Sequence, residues 1–171
     1  MTILGIDPGI QTTGYGVIQK KKGSGQLGLQ CIAYGCITTP KEKTRGERLW
    51  LLEKGLIKLF SEYKPDIMAV ESIFFFKNLK TVMPVSEARG VILLVGAKKK
   101  IPLYEFTPLQ VKLAITGYGR ADKKQLQRMS KEILQLSAVP KPDDAADALS
   151  IAVTCSFVAK DNQSKHPITQ S

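Results

Sequence analysis

Four acids stand out by where they fall in this chain: Asp7, Glu71, Asp144 and Asp147. Asp7 ends a short apolar run, Ile3-Leu4-Gly5-Ile6, and the chain breaks directly after it at Pro8-Gly9. Glu71 ends a second such run, Ile67-Met68-Ala69-Val70. Asp144 and Asp147 lie three apart in Asp143-Asp144-Ala145-Ala146-Asp147-Ala148-Leu149, a spacing that puts both on one face of a helix. A carboxylate in apolar surroundings does not stay charged without a partner, and a metal ion is the usual one. An all-carboxylate set selects hard cations, Mg2+ or Mn2+. Zinc does not fit, because the sole histidine, His166, falls in the polar C-terminal segment. Two hard cations ~3.5–4 Å apart stabilise both the attacking and the leaving oxygen of an in-line phosphoryl displacement. The chemistry these acids suit is metal-assisted hydrolysis of a phosphodiester.

Each acid also has a plainer reading. Asp143 and Asp144 open a helix, where an acid stabilises the free N–H groups and the dipole by ~0.3–1 kcal/mol. Asp143 is read that way. Capping explains Asp147 less well, since it lies a turn further in among alanines. Asp7 or Glu71, taken singly, could be a strand-end acid pointing into solvent. All four plain readings together require four coincidences.

The elements that must position these acids follow from pattern. Segments 2–7, 14–19 and 27–38 are rich in Ile, Val, Leu and Tyr and bounded by Gly or Pro, and they read as three consecutive strands in antiparallel hairpins. Leu49, Leu52, Leu56 and Leu59 step by three and four, the apolar stripe of a helix over 44–63. Residues 67–71 form a short strand buried on both faces. Pro84 suits the first turn of a helix running to about Lys98. A strand at 102–106 follows, then helical stretches near 108–116 and 122–136, and a last helix over 143–159. Strands first, then strands alternating with helices, predict a mixed sheet with helices on its faces. Asp7 and Glu71 converge at one sheet edge if their strands are neighbours.

The whole chain sets bounds on partners. Its 171 residues suit one domain, assigned to 1–160, with a disordered polar tail at 161–171. Lys and Arg number 25 against 15 acids, a net charge of +10 that favours a polyanionic partner. Cys31, Cys36 and Cys155 have no zinc-type spacing, and with no secretory leader in view they imply free thiols in a reducing compartment. The longest apolar run, from Val91 to Ala97, falls far short of the ~20 residues of a membrane helix. A cytoplasmic protein is expected.

The ordered set formed by residues 3–9, 13–17, Val70-Glu71, Lys77-Asn78, Glu87-Ala88-Arg89-Gly90, Gln110-Val111-Lys112 and 144–149 resembles the RuvC family of Holliday-junction resolvases, in order from residue 3 to about 157. The resemblance implies a ribonuclease-H-like α/β fold, a mixed five-stranded sheet flanked by helices. It implies a homodimeric endodeoxyribonuclease that places paired, symmetric, ligatable nicks in four-way junctions during DNA recombination and repair. It further implies Mg2+ as cofactor, two ions per active site with Mn2+ as an alternative, and work alongside a branch-migration motor of the RuvA and RuvB type.

By position, Asp7, Glu71, Asp144 and Asp147 match the family's catalytic acids. Asp7 is assigned as the ligand shared by both ions, Glu71 to one site, and Asp147 with Asp144 to the other. Some relatives are expected to carry histidine where this chain has Asp144, so this site is more anionic. Lys112 and Lys123 fall where the family places lysines important for activity, although Lys124 beside Lys123 leaves that register open. A lysine near a scissile phosphate stabilises developing negative charge. Lys77 and Lys80 are read as phosphate-positioning groups. Phe74 matches an aromatic presented to bases at the crossover, while Phe75 and Phe76 are read as packing residues or as support for the loop. The helix from Pro84 to Ala97 offers Val85, Val91, Leu94 and Val95 for a two-fold interface, or for burial within one subunit. Here the chain departs from the family, because Met83-Pro84 occupies a stretch that is usually continuous helix, which leaves the helix start and the dimer angle open.

Three other readings compete. The Gly-Ile-Asp-Pro-Gly hairpin also resembles the phosphate loop of actin-like and sugar-kinase ATPases, which need a second nucleotide-binding half. A related nuclease acting on RNA–DNA hybrids or flaps would carry the same acids. A non-catalytic junction binder would gain from losing acids near phosphates.

Overall fold

The computed structural model describes residues 1–21, 28–72 and 79–159. Phe74, Phe75, Phe76, Lys77 and the tail 161–171 lie outside the described residues, as does the side chain of Lys80. Five strands form one sheet in the order β3-β2-β1-β4-β5. The strands β1 (Thr2–Asp7), β2 (Thr12–Lys20) and β3 (Leu29–Thr38) pair antiparallel, while β4 (Ile67–Glu71) and β5 (Leu103–Phe106) continue the sheet in parallel.

Alternation along each strand sorts side chains onto two faces. Leu4, Ile6, Met68 and Val70 pack on one side with α1 (Arg45–Tyr63) and α2 (Leu79–Lys99). Ile3, Ile67 and Ala69 pack on the other side with α3 (Pro108–Thr116), α4 (Lys123–Ile133) and α5 (Asp143–Val158). The central strand β4 is buried on both faces, as its unbroken apolar run requires.

Helix α1 follows its leucine stripe, burying Leu52, Leu56 and Leu59. Its start is fixed by a capping box in which Thr44 accepts from the Glu47 N–H and the Glu47 carboxylate accepts from the Thr44 N–H. Helix α5 lies directly on the sheet. Its buried hydroxyls are satisfied internally: Ser150, Thr154 and Ser156 donate to carbonyls one turn back, and Ser130 of α4 meets Ser150 at 2.7 Å.

Two expectations change. Helix α2 begins at Leu79, so Pro84 sits inside it rather than in its first turn. The missing N–H at Pro84 costs one main-chain bond near the helix start, and the helix continues through it. Val95 is 1% exposed and belongs to the α1–α2 core. It is therefore unavailable to an interface, whereas Leu94, 51% exposed, and Met83 point outward.

A candidate nuclease active site

The register brings the first two acids together. Ile6 pairs with Val70 in parallel strands, so Asp7 and Glu71, each one residue further on, end adjacent strands at the same edge. Alternation decides their side. Ile6 and Val70 face α1 and α2, so Asp7 and Glu71 face α5.

Glycines then let α5 deliver the other two acids. A Cβ at Gly5 would lie 2.2 Å from the Ala148 carbonyl oxygen, one at Gly14 2.0 Å from that of Asp144, and one at Gly16 2.7 Å from the Leu149 nitrogen. Real Cβ atoms do not approach so closely, so helix backbone occupies the volume that side chains would fill. Gly14 is the residue paired with Asp7 across β1 and β2. The start of α5, with Asp144, therefore lies over the end of β1. Asp147 is one turn further along and lines a cavity of about 170 Å³ with Glu71, Lys112 and Lys123.

The electrostatics follow from this crowding. Burial is the main force pushing the Asp7 carboxyl up to about 8, with the charges of Glu71, Asp147 and Asp144 adding and Lys123 opposing. Burial, then Asp147, lifts Glu71 to about 7. Burial also raises Asp147, against the pull of Lys123. Lys123 Nζ lies 2.9 Å from Asp147 and 3.6 Å from Asp143. Burial would lower the lysine, but its bonds and attraction to those two acids outweigh that and raise it. Ionising these acids together is unfavourable without a counter-charge, and an oxygen-only donor set of this kind fits a hard divalent cation. Among the described residues, no three His, Cys, Asp or Glu side chains are gathered closely enough to form a ready cage. Asp147 already holds an ammonium partner.

Asp143 meets the helix-start expectation in its position but not in a capping bond. It lies in the first turn of α5, but no side chain caps that helix. It pairs instead with Lys141 at 3.0 Å and with Lys123. Lys123, not Lys124, lines the cavity. Cys36 is a neighbour that spacing did not suggest. It pairs with Gly14 across β2 and β3. Burial, then the charges of Asp144 and Asp7, push its thiol up to about 11. Its place opposite Gly14 becomes visible only with the strand register.

The model of the family "Crossover junction endodeoxyribonuclease RuvC" matches residues 3–155. The chain belongs to the RuvC family. It is 51% identical over 152 residues to the RuvC of Thermosipho melanesiensis, covering 89% of this chain and 94% of the relative. It is 53% identical to that of Petrotoga mobilis, covering 89% and 91%. The solved structure of Thermus thermophilus RuvC superposes with a TM-score of 0.84 at 32% identity, covering 92% and 94%. T. thermophilus RuvC in complex with Holliday junction substrate gives 0.82 at 29%, with the same coverage. The yeast mitochondrial resolvase Ydc2, 14% identical with a TM-score of 0.65, shares the fold. Nucleases of this family are metal-dependent. Among the described residues no helix is long and apolar enough to cross a membrane.

Proposed function

We propose that this chain is a Holliday-junction resolvase that cuts through a two-ion site held by Asp7, Glu71, Asp144 and Asp147. The observation carrying the proposal is the convergence of these acids at one sheet edge, with Lys112 and Lys123 beside them, in a chain of the RuvC family. Bound there, divalent cations of the Mg2+ or Mn2+ class supply charge stabilisation for the attacking and leaving oxygens of a phosphodiester displacement.

The chain's own residues supply the rest. Asp7, on the strand between β2 and β4, would be the ligand common to both ions. Glu71 would help hold one ion, and Asp144 and Asp147 on α5 the other. Lys112 and Lys123 face the same cavity as Glu71 and Asp147; both can hold a non-bridging phosphate oxygen and stabilise charge as it develops. Pro108, Val111 and Leu126 form an apolar wall of that cavity, which strengthens those interactions by limiting water. Phe74 stacks on a base at the crossover, while Lys77 and Lys80 position the backbone of a DNA arm.

Paired cuts need two sites related by two-fold symmetry. The outward face of α2 supports a homodimer. Met83, Gly90, Leu94 and Ala97 form an exposed stripe at spacings of seven, four and three, the repeat of a helix seam. A branch-migration motor of the RuvA and RuvB type is the expected companion, because resolution acts on junctions such a motor moves.

The test is incubation of a synthetic four-way junction with Mg2+. Symmetric nicks that ligase can seal support the reading. Preferential cutting of flaps or RNA–DNA hybrids would overturn it in favour of a related nuclease.

A further inference from the structure

The turn that follows Asp7 is clamped at three consecutive carbonyls. The Thr13 hydroxyl donates to the Gly9 carbonyl, the Thr39 hydroxyl to that of Ile10 at 2.5 Å, and the Thr39 N–H to that of Gln11 at 3.0 Å. Thr13 and Thr39 are both buried. The turn is also tight, since a Cβ at Gly9 would fall 2.2 Å from the Thr12 carbonyl oxygen. Two of the three clamps come from Thr39, just past the end of β3.

Thr39 is itself set by Arg48, whose Nε donates to the Thr39 hydroxyl oxygen at 2.9 Å. A guanidinium can only donate, so that oxygen must accept, and its single proton is left for Ile10. Arg48 closes the first turn of α1, whose start the Thr44–Glu47 capping box fixes. The guanidinium is partly buried, and its Nη2 is shielded from solvent. Burying a charge is costly, and its bond to Thr39 does not reach any of the acids directly.

From this chain of contacts we infer that Arg48, acting through Thr39, is a positioning residue that holds the Asp7 turn rigid for the cut. Neither residue touches the cavity formed with Glu71 and Asp147. Their effect is geometric: a carboxylate displaced by a fraction of an ångström loses reacting geometry while the rest of the site stays in place. The role presupposes that Asp7 serves the cut, as proposed above.

Four variants test it: Arg48→Met, Arg48→Lys, Thr39→Val and Thr39→Ser. Three readouts are taken: single-turnover cutting of a synthetic four-way junction, titration of the DNA-free protein with Mn2+ alone, and amide hydrogen exchange. Arg48→Met and Thr39→Val should cut about tenfold or more slowly, bind the junction as tightly as the native chain, and bind Mn2+ more weakly. Exchange should rise in residues 8–12 and stay unchanged in β4 and α5. Thr39→Ser keeps the hydroxyl and should retain native behaviour. Arg48→Lys should fall between, since an ammonium lacks the directed Nε. Native cutting by Thr39→Val, or exchange raised equally throughout the chain, would overturn the inference. If Arg48→Met does not fold, the Thr39 pair decides. If the native chain cuts no junction, the exchange and Mn2+ measurements still test the clamp, so its failure is distinct from failure of the nuclease reading.

Discussion

Gly14 and Asp144 are in backbone contact: a Cβ on Gly14 would lie 2.0 Å from the Asp144 carbonyl oxygen. Gly14 is also the partner of Asp7 in the β1–β2 ladder. One missing side chain on β2 therefore seats the helix that carries the last two acids beside the strand that carries the first.

The consequence is testable without touching an acid. Gly14→Ala should push α5 off the sheet, cost about 1–3 kcal/mol of stability, and slow cutting by about a hundredfold. Gly46→Ala is the control, because a Cβ there meets nothing within 4 Å. Thermal unfolding and single-turnover cutting measure both effects. A Gly14→Ala chain that cuts at the native rate would show that helix and strand need not touch.

Asp7 gives a prediction in pH. Its folded carboxyl titrates at about 8, against an ordinary value of 3.8. The folded chain therefore binds that proton more tightly than the unfolded chain. Stability from this group is fully present below about pH 4 and is lost as pH rises toward 8. Glu71, raised from 4.5 to about 7, adds loss in the same direction. Asp7→Asn has no such proton to lose. With chelator present, it should be more stable than the native chain at pH 8, by roughly 1–3 kcal/mol, and nearly equal to it at pH 4. It should bind junctions and fail to cut them. Added Mg2+ should raise the native Tm more at pH 8 than at pH 5.5. Parallel stability–pH curves for the two proteins would contradict the assignment of the shift to Asp7.

Much of this site was legible in the residues, and the reason is periodicity. Acids at the ends of two apolar strands fix an edge, and alternation fixes the face once the strands are neighbours. The Asp144–Asp147 spacing fixes a helix face in the same way. What could not be read was proximity between elements far apart in sequence. The bond between Lys123 and Asp147 depends on how α4 packs on α5, and the place of Cys36 depends on the β2–β3 register. The Thr39–Arg48 contact escapes notice because a threonine after a strand and an arginine on a helix look ordinary. Pro84 misled for a local reason: proline favours a first turn, yet a helix tolerates it where only one main-chain bond is lost.

The two cavity lysines should separate from their neighbours. Lys123→Met removes the ammonium 2.9 Å from Asp147, and Lys112→Met removes the one that α3 brings to the cavity. Each should slow cutting by about 10- to 100-fold. Each should also lower the salt dependence of junction binding by about one phosphate contact. Lys124→Met, which lies off the cavity lining, should cut within about twofold of the native rate, as ordinary surface changes do. Equal losses for Lys123→Met and Lys124→Met would reduce Lys123 to a share of the general positive charge.

The outer face of α2 supplies the last prediction. Leu94 and Val95 are adjacent, but Leu94 is 51% exposed and Val95 only 1%. A charge at each position should therefore act at different levels. Leu94→Glu adds a carboxylate to the outward stripe, where the subunit's own core does not feel it. Two such carboxylates would face each other across a two-fold interface, and desolvating them costs several kcal/mol. Sedimentation should show a monomer with a nearly native Tm, and the remaining cuts should be single, unpaired nicks. Val95→Glu buries a charge between α1 and α2 and should unfold the subunit itself. If Leu94→Glu stays dimeric and still makes paired nicks, the interface lies on another face, and the stripe on α2 has a different partner.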